Sequence, residues 1–100
     1  MITFIVEHIV KEGHEKEAQK IVQHVTGTVK GKPGLVFRQV LRSQKDPRKV
    51  TTVVSWQSMA DYESYRKSRG PRTPEIVAEE MKHFDVMTAE MFDVEDKVKL

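Results

Sequence analysis

The chain of 100 residues contains no cysteine. Disulfides, thiolate metal sites and a cysteine nucleophile are therefore all excluded. The sequence also lacks an uncharged apolar run that approaches the ~20 residues of a membrane-spanning helix. Its first residues show neither a basic leader nor a small-residue cleavage site, so no signal peptide is expected. We expect a cytoplasmic protein without membrane partners, and the missing cysteines are compatible with a reducing compartment.

The sequence also lacks a large excess of positive or negative charge, because its formal net charge is only +2. Nucleic-acid binding would need a clustered basic face, so no nucleic-acid partner is expected. The sequence has no glycine-rich phosphate loop, serine nucleophile elbow or metal signature, and we expect no cofactor. Its length and composition predict one globular domain over 1–100, in which 94–100 form a polar C-terminal tail.

Residue periodicity predicts the secondary structure. Short β-branched and aromatic runs predict four strands, at 2–10, 35–43, 49–57 and 85–94. An apolar stripe at three- and four-residue spacing predicts a helix over 14–30. A second helical region begins after Ser58, breaks at Gly70-Pro71 and restarts at Pro74. The order β-α-β-β-α-β predicts a ferredoxin-like α+β fold with a four-stranded antiparallel sheet.

The strands carry apolar residues on both faces. In the second strand, strict alternation places Leu35, Phe37 and Leu41 on one face and Arg38 on the other. The first strand adds Ile5 and Ile9 to the face that the helices leave uncovered. A second copy of the chain would cover that face, so we expect a homodimer. A monomer with a partly apolar outer face is the alternative.

His8 and Trp56 are candidate pocket residues. His8 is in register with Phe4 and Val6, and a neutral imidazole can take a proton from a phenol or quinol. The alternative is a structural histidine that is hydrogen-bonded in the core. Trp56 ends the third strand, where it can form a pocket wall against a planar ligand or fill the core.

Tyr62, Tyr65 and Arg38 complete the candidate substrate-binding set. The two tyrosines share a helix face, where a hydroxyl group can orient a ligand or stabilise an oxyanion. They can equally be amphipathic side chains with wet tips. Arg38 lies between valines and is expected to bind a carboxylate. That carboxylate belongs either to a ligand or to Glu7 or Glu90 across the sheet.

Two other groups of residues provide weaker evidence for a binding site. Glu79 and His83 have helical i,i+4 spacing, but two ligands are too few for a metal site. Basic residues surround the helix break, where they can attract an anionic ligand or form a solvated loop with Gly70 as a hinge; they are Arg66, Lys67, Arg69 and Arg72.

The chain resembles the antibiotic biosynthesis monooxygenase family over about residues 2–94. The resemblance is carried by Pro33-Gly34-(x)2-Phe37 and by Val54-Ser55-Trp56-Gln57-Ser58-Met59-Ala60-Asp61-Tyr62. It implies a dimeric α+β barrel. The family includes cofactor-free oxygenases of quinols and aromatic polyketides, and also haem-degrading enzymes.

The chain departs from both groups at their characteristic residues. Quinol-oxygenase-like relatives have a histidine where this chain has Tyr65. Haem-degrading relatives have asparagine, tryptophan and histidine where this chain has His8, Tyr65 and Glu75. The leading hypothesis is a cofactor-independent monooxygenase-like enzyme that acts on a small aromatic or quinol-type substrate, with His8 as the base. A non-catalytic ligand-binding or stress-sensor dimer is the second hypothesis, and haem binding or degradation is the third.

Overall fold

A computed structural model describes residues 1–98, and the last two residues of the predicted tail lie outside this range. The fold is ferredoxin-like α+β, as predicted. The elements along the chain are β1 (Ile2–Val10), α1 (Glu15–Val29), β2 (Leu35–Arg42), β3 (Lys49–Trp56), α2 (Met59–Arg69), α3 (Pro74–Met81) and β4 (Phe84–Asp93). The four strands form one antiparallel sheet in the order β2-β3-β1-β4. No helix within residues 1–98 is long and apolar enough to cross a membrane.

The predicted signals set the boundaries of α2 and α3. The Ser58 hydroxyl accepts a hydrogen bond from the Asp61 backbone N–H and thereby satisfies one of the free donors at the start of α2. Thr73 does the same for α3, where Pro74 occupies the first helical position. Between the two helices, Gly70 has a φ of 82°, a conformation that a residue with a side chain rarely adopts.

Gly34 explains why the Pro33-Gly34 motif and the start of α2 occur together. Its φ is 84°, and its Cα lies so close to the Asp61 carboxylate that an added Cβ would overlap it. The Gly34 carbonyl also accepts a hydrogen bond from the Gln57 backbone N–H at 2.8 Å. The two motifs therefore form one junction, at which β2 begins beside the end of β3 and the cap of α2.

The inner face of the sheet lies beneath the helices and holds two separate core clusters. One cluster contains Ile2, Val29, Val54, Trp56 and Tyr65. The other contains Val10, Ala18, Val50 and Phe84. Because Ile2 and Val10 are the two ends of β1, the clusters lie at opposite ends of the sheet. The residues in the middle of β1, between the clusters, are less tightly packed.

Leu35 corrects the predicted face pattern of β2. Strict alternation put it with Phe37 and Leu41, but Leu35 packs against the inner cluster that contains Trp56. The strand pairing shifts between Leu35, which faces Trp56, and Phe37, which faces Ser55. Such an irregularity adds a residue to one strand and reverses its face pattern at that point. Arg38 keeps the predicted face, which is the inner one.

The outer face of the sheet carries large apolar side chains. Phe37 and Leu41 on β2 and Val86 and Phe92 on β4 are between 39% and 47% exposed. No helix of the described chain covers this face. It therefore has the apolar character that was expected of it from the sequence.

Candidate ligand cavity

A cavity of about 380 Å³ lies on the inner face of the sheet, between the two core clusters. This volume is within the ~300–1,000 Å³ range that is typical of small-molecule sites. Helix α1 covers it with Ile21, Val22, Val25 and Val29, so the apolar stripe of α1 lines a cavity as well as contributing to the core. All the candidate site residues border this one cavity, namely His8, Arg38, Trp56, Tyr62 and Tyr65.

His8 is 9% exposed and lies beside the second core cluster, with its ring centroid 4.8 Å from that of Phe84. Its Nδ1 atom is buried and has no hydrogen-bond partner within residues 1–98. Burial lowers the pKa of His8 from 6.5, and the positive charge of Arg38 acts in the same direction. The Val50 backbone and the charge of Glu80 oppose the shift. His8 is therefore a neutral imidazole at physiological pH, with a nitrogen that the protein leaves unpaired.

Trp56 belongs to the first core cluster and also forms part of the cavity wall. It is 1% exposed, and the Tyr65 ring stacks on it with a centroid separation of 5.2 Å and an interplanar angle of 28°. Tyr62 meets the indole nearly edge-on at 6.2 Å. Such pairs contribute roughly 0.5–1.5 kcal/mol each beyond the area that they bury. The packing of Trp56 thus agrees with the core interpretation, and the stacked tyrosine lies at the cavity.

The hydroxyl proton of Tyr65 is already used in a hydrogen bond within the protein. Thr28 Oγ1 donates its single proton to the Val25 carbonyl at 2.7 Å, and the same oxygen lies 2.8 Å from the Tyr65 hydroxyl. Tyr65 must therefore donate to Thr28, since a threonine hydroxyl has only one proton to give. The Tyr62 hydroxyl has no such partner within the described chain. Of the two tyrosines, Tyr62 has the proton that is available to a ligand.

Arg38 does not form the internal ion pair that was considered from the sequence. Glu7 points to the outer face, where Lys49 lies 3.7 Å from it, and Glu90 also lies on that face. Arg38 instead donates from Nε to Thr26 Oγ1 at 3.0 Å and from one terminal nitrogen to the Val22 carbonyl at 3.4 Å. The carbonyl and hydroxyl oxygens of α1 therefore hold a guanidinium group at the cavity.

The helix break lies beside the cavity. Of the four basic residues near it, Arg69 and Arg72 border the cavity, whereas Arg66 forms an ion pair with Glu63 at 2.8 Å. The Arg69 guanidinium lies 5.4 Å from the centroid of the Tyr65 ring, a cation–π arrangement. Arg72 pairs with Glu80, which also lines the cavity.

The Glu79–His83 spacing does not produce a metal site. Glu79 binds Lys82 at 2.7 Å, and this contact lowers the pKa of the Glu79 carboxyl. His83 turns to His14, with 3.0 Å between the two Nδ1 atoms. Within residues 1–98 no three histidine or acidic side chains are grouped closely enough to hold a metal ion.

Sequence reasoning missed three polar residues in or next to the cavity. Thr26 and Thr28 hydrogen-bond to Arg38 and Tyr65, which line the cavity, and Glu80 contributes a carboxylate to the lining itself. The sequence signal that could have identified Thr26 and Thr28 is the occurrence of two β-branched hydroxyl residues in the last turns of α1. Their partners, however, come from β2 and α2, which no local pattern connects to α1.

Comparison with known families identifies the chain. The family model described as "Antibiotic biosynthesis monooxygenase" matches residues 1–84. The chain belongs to this family. The resemblance found in the Pro33-Gly34 and Trp56-Gln57-Ser58 segments is therefore confirmed. A comparison with curated proteins gave no match.

Solved structures of the antibiotic biosynthesis monooxygenase type share the fold. SnoaB, a cofactor-independent oxygenase from Streptomyces nogalater, aligns with a TM-score of 0.77 at 12% identity, over 97% of this chain and 95% of that one. A structure described as an antibiotic biosynthesis monooxygenase aligns with a TM-score of 0.74 at 15% identity, over 94% and 98%. MhuD, solved with two manganese protoporphyrin IX molecules per active site, aligns with a TM-score of 0.69 at 22% identity, over 99% of each chain.

Proposed function

We propose that this protein is a cofactor-independent monooxygenase of a small hydroxy-aromatic or quinol-type substrate, with His8 as the base. The observation that carries the proposal is the buried, unpaired Nδ1 of His8 beside an aromatic-lined cavity. Burying a nitrogen without a partner costs roughly 1–3 kcal/mol, so it is rarely kept without a use. A substrate hydroxyl group can supply the missing partner. Membership of the family and the description of SnoaB as a cofactor-independent oxygenase support the same chemistry.

The reaction needs only the substrate, oxygen and a base. A neutral His8 takes the hydroxyl proton, and the resulting phenolate is electron-rich enough to reduce oxygen. One oxygen atom then forms a new C=O bond in a quinone, and the other leaves as water with two hydrogens from the substrate. The substrate supplies all four electrons, so no external reductant is required. Rotation of the imidazole by a half-turn about its Cβ–Cγ bond exchanges the ring edge that faces the cavity, so that either ring nitrogen can reach the substrate. This torsion has a broad two-fold preference.

Oxygen consumption with a panel of naphthoquinols and hydroxynaphthalenes tests the proposal. Wild type is expected to consume oxygen, and His8→Gln to do so roughly 10²–10⁴-fold more slowly, which is the usual contribution of a general base. His24→Gln is the matched control because His24 is exposed on α1. Equal rates for wild type and His8→Gln, or no uptake by wild type across the panel, would contradict the assignment.

We also propose that the outer sheet face joins two copies into a homodimer. Exposed apolar residues on both edge strands of this face support it, because exposed apolar surface is costly in water; they are Phe37 and Leu41 on β2 and Val86 and Phe92 on β4. A two-fold axis would place the same patch against itself.

Sedimentation velocity tests the homodimer. Phe92→Glu is expected to convert dimers to monomers, since it places an unpaired charge in an apolar interface. Ile76→Glu is the control, because Ile76 is as exposed as Phe92 but lies on α3, away from this face. A wild type that sediments as a monomer would refute the assembly.

A second function, non-catalytic binding of an aromatic ligand, is favoured by one observation. Tyr65 stands where quinol-oxygenase-like relatives have a histidine, and its proton is committed to Thr28. This function predicts a higher melting temperature with 2-naphthol but no oxygen uptake. Haem binding, the third hypothesis, predicts a shift of the Soret band on titration, and an unchanged band would eliminate it.

A further inference from the structure

Arg38 carries a charge that the described protein does not neutralise. Its nearest polar partners are the uncharged oxygens of Thr26 and Val22. No carboxylate of residues 1–98 lies within ion-pair distance of it. Among the described residues, Glu80 is the only acidic one that lines the cavity, and it is paired with Arg72. The cavity therefore holds three arginines, Arg38, Arg69 and Arg72, against one carboxylate.

The two hydrogen bonds of Arg38 leave part of its fork free. Nε is used by Thr26, and one terminal nitrogen is used once, by Val22. The other terminal nitrogen and the second proton of the first one have no partner within the described chain. This end of a guanidinium group matches the two oxygens of a carboxylate.

Burial makes this unpaired charge costly. It lowers the pKa of Arg38, which means that the charged form is destabilised by its surroundings. A guanidinium group nevertheless stays protonated, and an anion in the cavity would offset the cost of its partial burial. The contacts to Val22 and Thr26 hold the group at the cavity instead of allowing it to extend into water.

We propose that the ligand of this cavity carries a carboxylate that binds Arg38, so that the protein selects hydroxy-aromatic acids over their neutral counterparts. The proposal rests on the proposed function for the hydroxyl end of the ligand, which faces His8. The carboxylate end then lies towards β2 and the hydroxyl end towards β1 and Phe84. The two anchors fix the direction in which the ring enters.

The same contact changes the reactivity of His8. Burial is the main cause of the lowered pKa of His8, and the charge of Arg38 adds to it. A carboxylate on Arg38 removes this smaller contribution and makes His8 a stronger base while the substrate is bound. An acidic substrate thereby assists its own deprotonation, and a neutral analogue in the same position does not.

Calorimetry without oxygen provides the test, because binding is then measured apart from turnover. The probes are 6-hydroxy-2-naphthoic acid and its methyl ester, which differ chiefly in charge. Wild type is expected to bind the acid at least about tenfold more tightly, as charge-assisted bidentate hydrogen bonds require. Arg38→Gln is expected to remove this preference, and Arg38→Lys to restore part of it.

Arg42→Gln is the matched control. Arg42 lies on the same strand and face as Arg38, is exposed and does not line the cavity. A preference for the acid that persists in Arg38→Gln, or that falls equally in Arg42→Gln, would overturn the proposal. So would a wild type that binds the ester as tightly as the acid or binds neither probe. The wild-type comparison of acid and ester decides the question even if Arg38→Gln does not fold.

The test also separates this inference from the proposed function. Selective binding of the acid without oxygen uptake supports the Arg38 site and removes the oxygenase. Oxygen uptake with equal affinity for acid and ester supports the oxygenase and removes the Arg38 site.

Discussion

Replacing His8 with leucine is expected to stabilise the protein while it abolishes the proposed chemistry. Wild type buries an imidazole nitrogen without a partner, at a cost of roughly 1–3 kcal/mol. Leucine has a similar volume and no polar atom. It loses the ring contact with Phe84, and an aromatic pair of that kind contributes roughly 0.5–1.5 kcal/mol. The balance is a gain of about 1 kcal/mol in the free energy of unfolding, or roughly 4–8 °C in melting temperature for a domain of this size.

The pH dependence provides a second measure. The native pKa of His8 is lowered from 6.5, so between the two values the unfolded chain binds a proton that the native protein lacks. The free energy of unfolding of wild type therefore falls as the pH drops below 6.5. His8→Leu has no titrating group at this position and lacks that loss. Its advantage over wild type should be smallest near pH ~8 and should grow towards pH ~5.

Urea denaturation at equal protomer concentration is the appropriate assay, because assembly would make stability depend on concentration. His8→Gln is the control, since it keeps a polar side chain but does not titrate. A His8→Leu protein less stable than wild type at neutral pH would show that the imidazole is satisfied in solution. A difference between His8→Leu and wild type that does not change with pH would refute the buried neutral state.

Two further substitutions test contacts near the cavity. Tyr65→Phe should lower the free energy of unfolding by about 1 kcal/mol through the lost hydrogen bond to Thr28. Because that proton is committed, the variant should bind 2-naphthol with nearly wild-type affinity in calorimetry, and a large loss would reassign the hydroxyl to the ligand. Gly34→Ala should lower the melting temperature by more than Gly31→Ala, since both have positive φ but only Gly34 abuts Asp61. Equal losses in thermal melts would show that backbone conformation alone accounts for the effect.

Local signals in the sequence were sufficient for most of the fold. Ser58 and Thr73-Pro74 act within one helical turn, so their caps could be predicted without knowledge of the tertiary structure. Strict alternation in β1 placed His8 on the same face as Phe4 and Val6, and all three line the cavity. That Trp56 borders the same cavity came from the strand pairing and not from the sequence. Leu35 was placed wrongly because the irregularity in the β2–β3 pairing has no local marker.

The contacts within the site were harder to predict. Arg38 was placed on the correct face, but its partners Thr26 and Val22 belong to a helix that packs over it. The proton of Tyr65 is directed by Thr28, which is distant in sequence. The single-domain extent of 1–100, the cytoplasmic location and the catalytic role of His8 stay predictions.

The alternation of the strands has a consequence for mutational libraries. In β1 and β3 the even-numbered residues face the helices. In β4 the odd-numbered residues from Met87 to Met91 face the helices, whereas the even-numbered Phe84 does so beyond the register shift at Ile9/Val10. A saturation library over these strands should therefore divide by sheet face into two phenotypic classes. Substitutions at inward-facing positions would change which ligands the cavity binds. Substitutions at outward-facing positions would change the contacts that the outer sheet face makes. A single sheet thus presents two sets of positions on which selection can act almost independently.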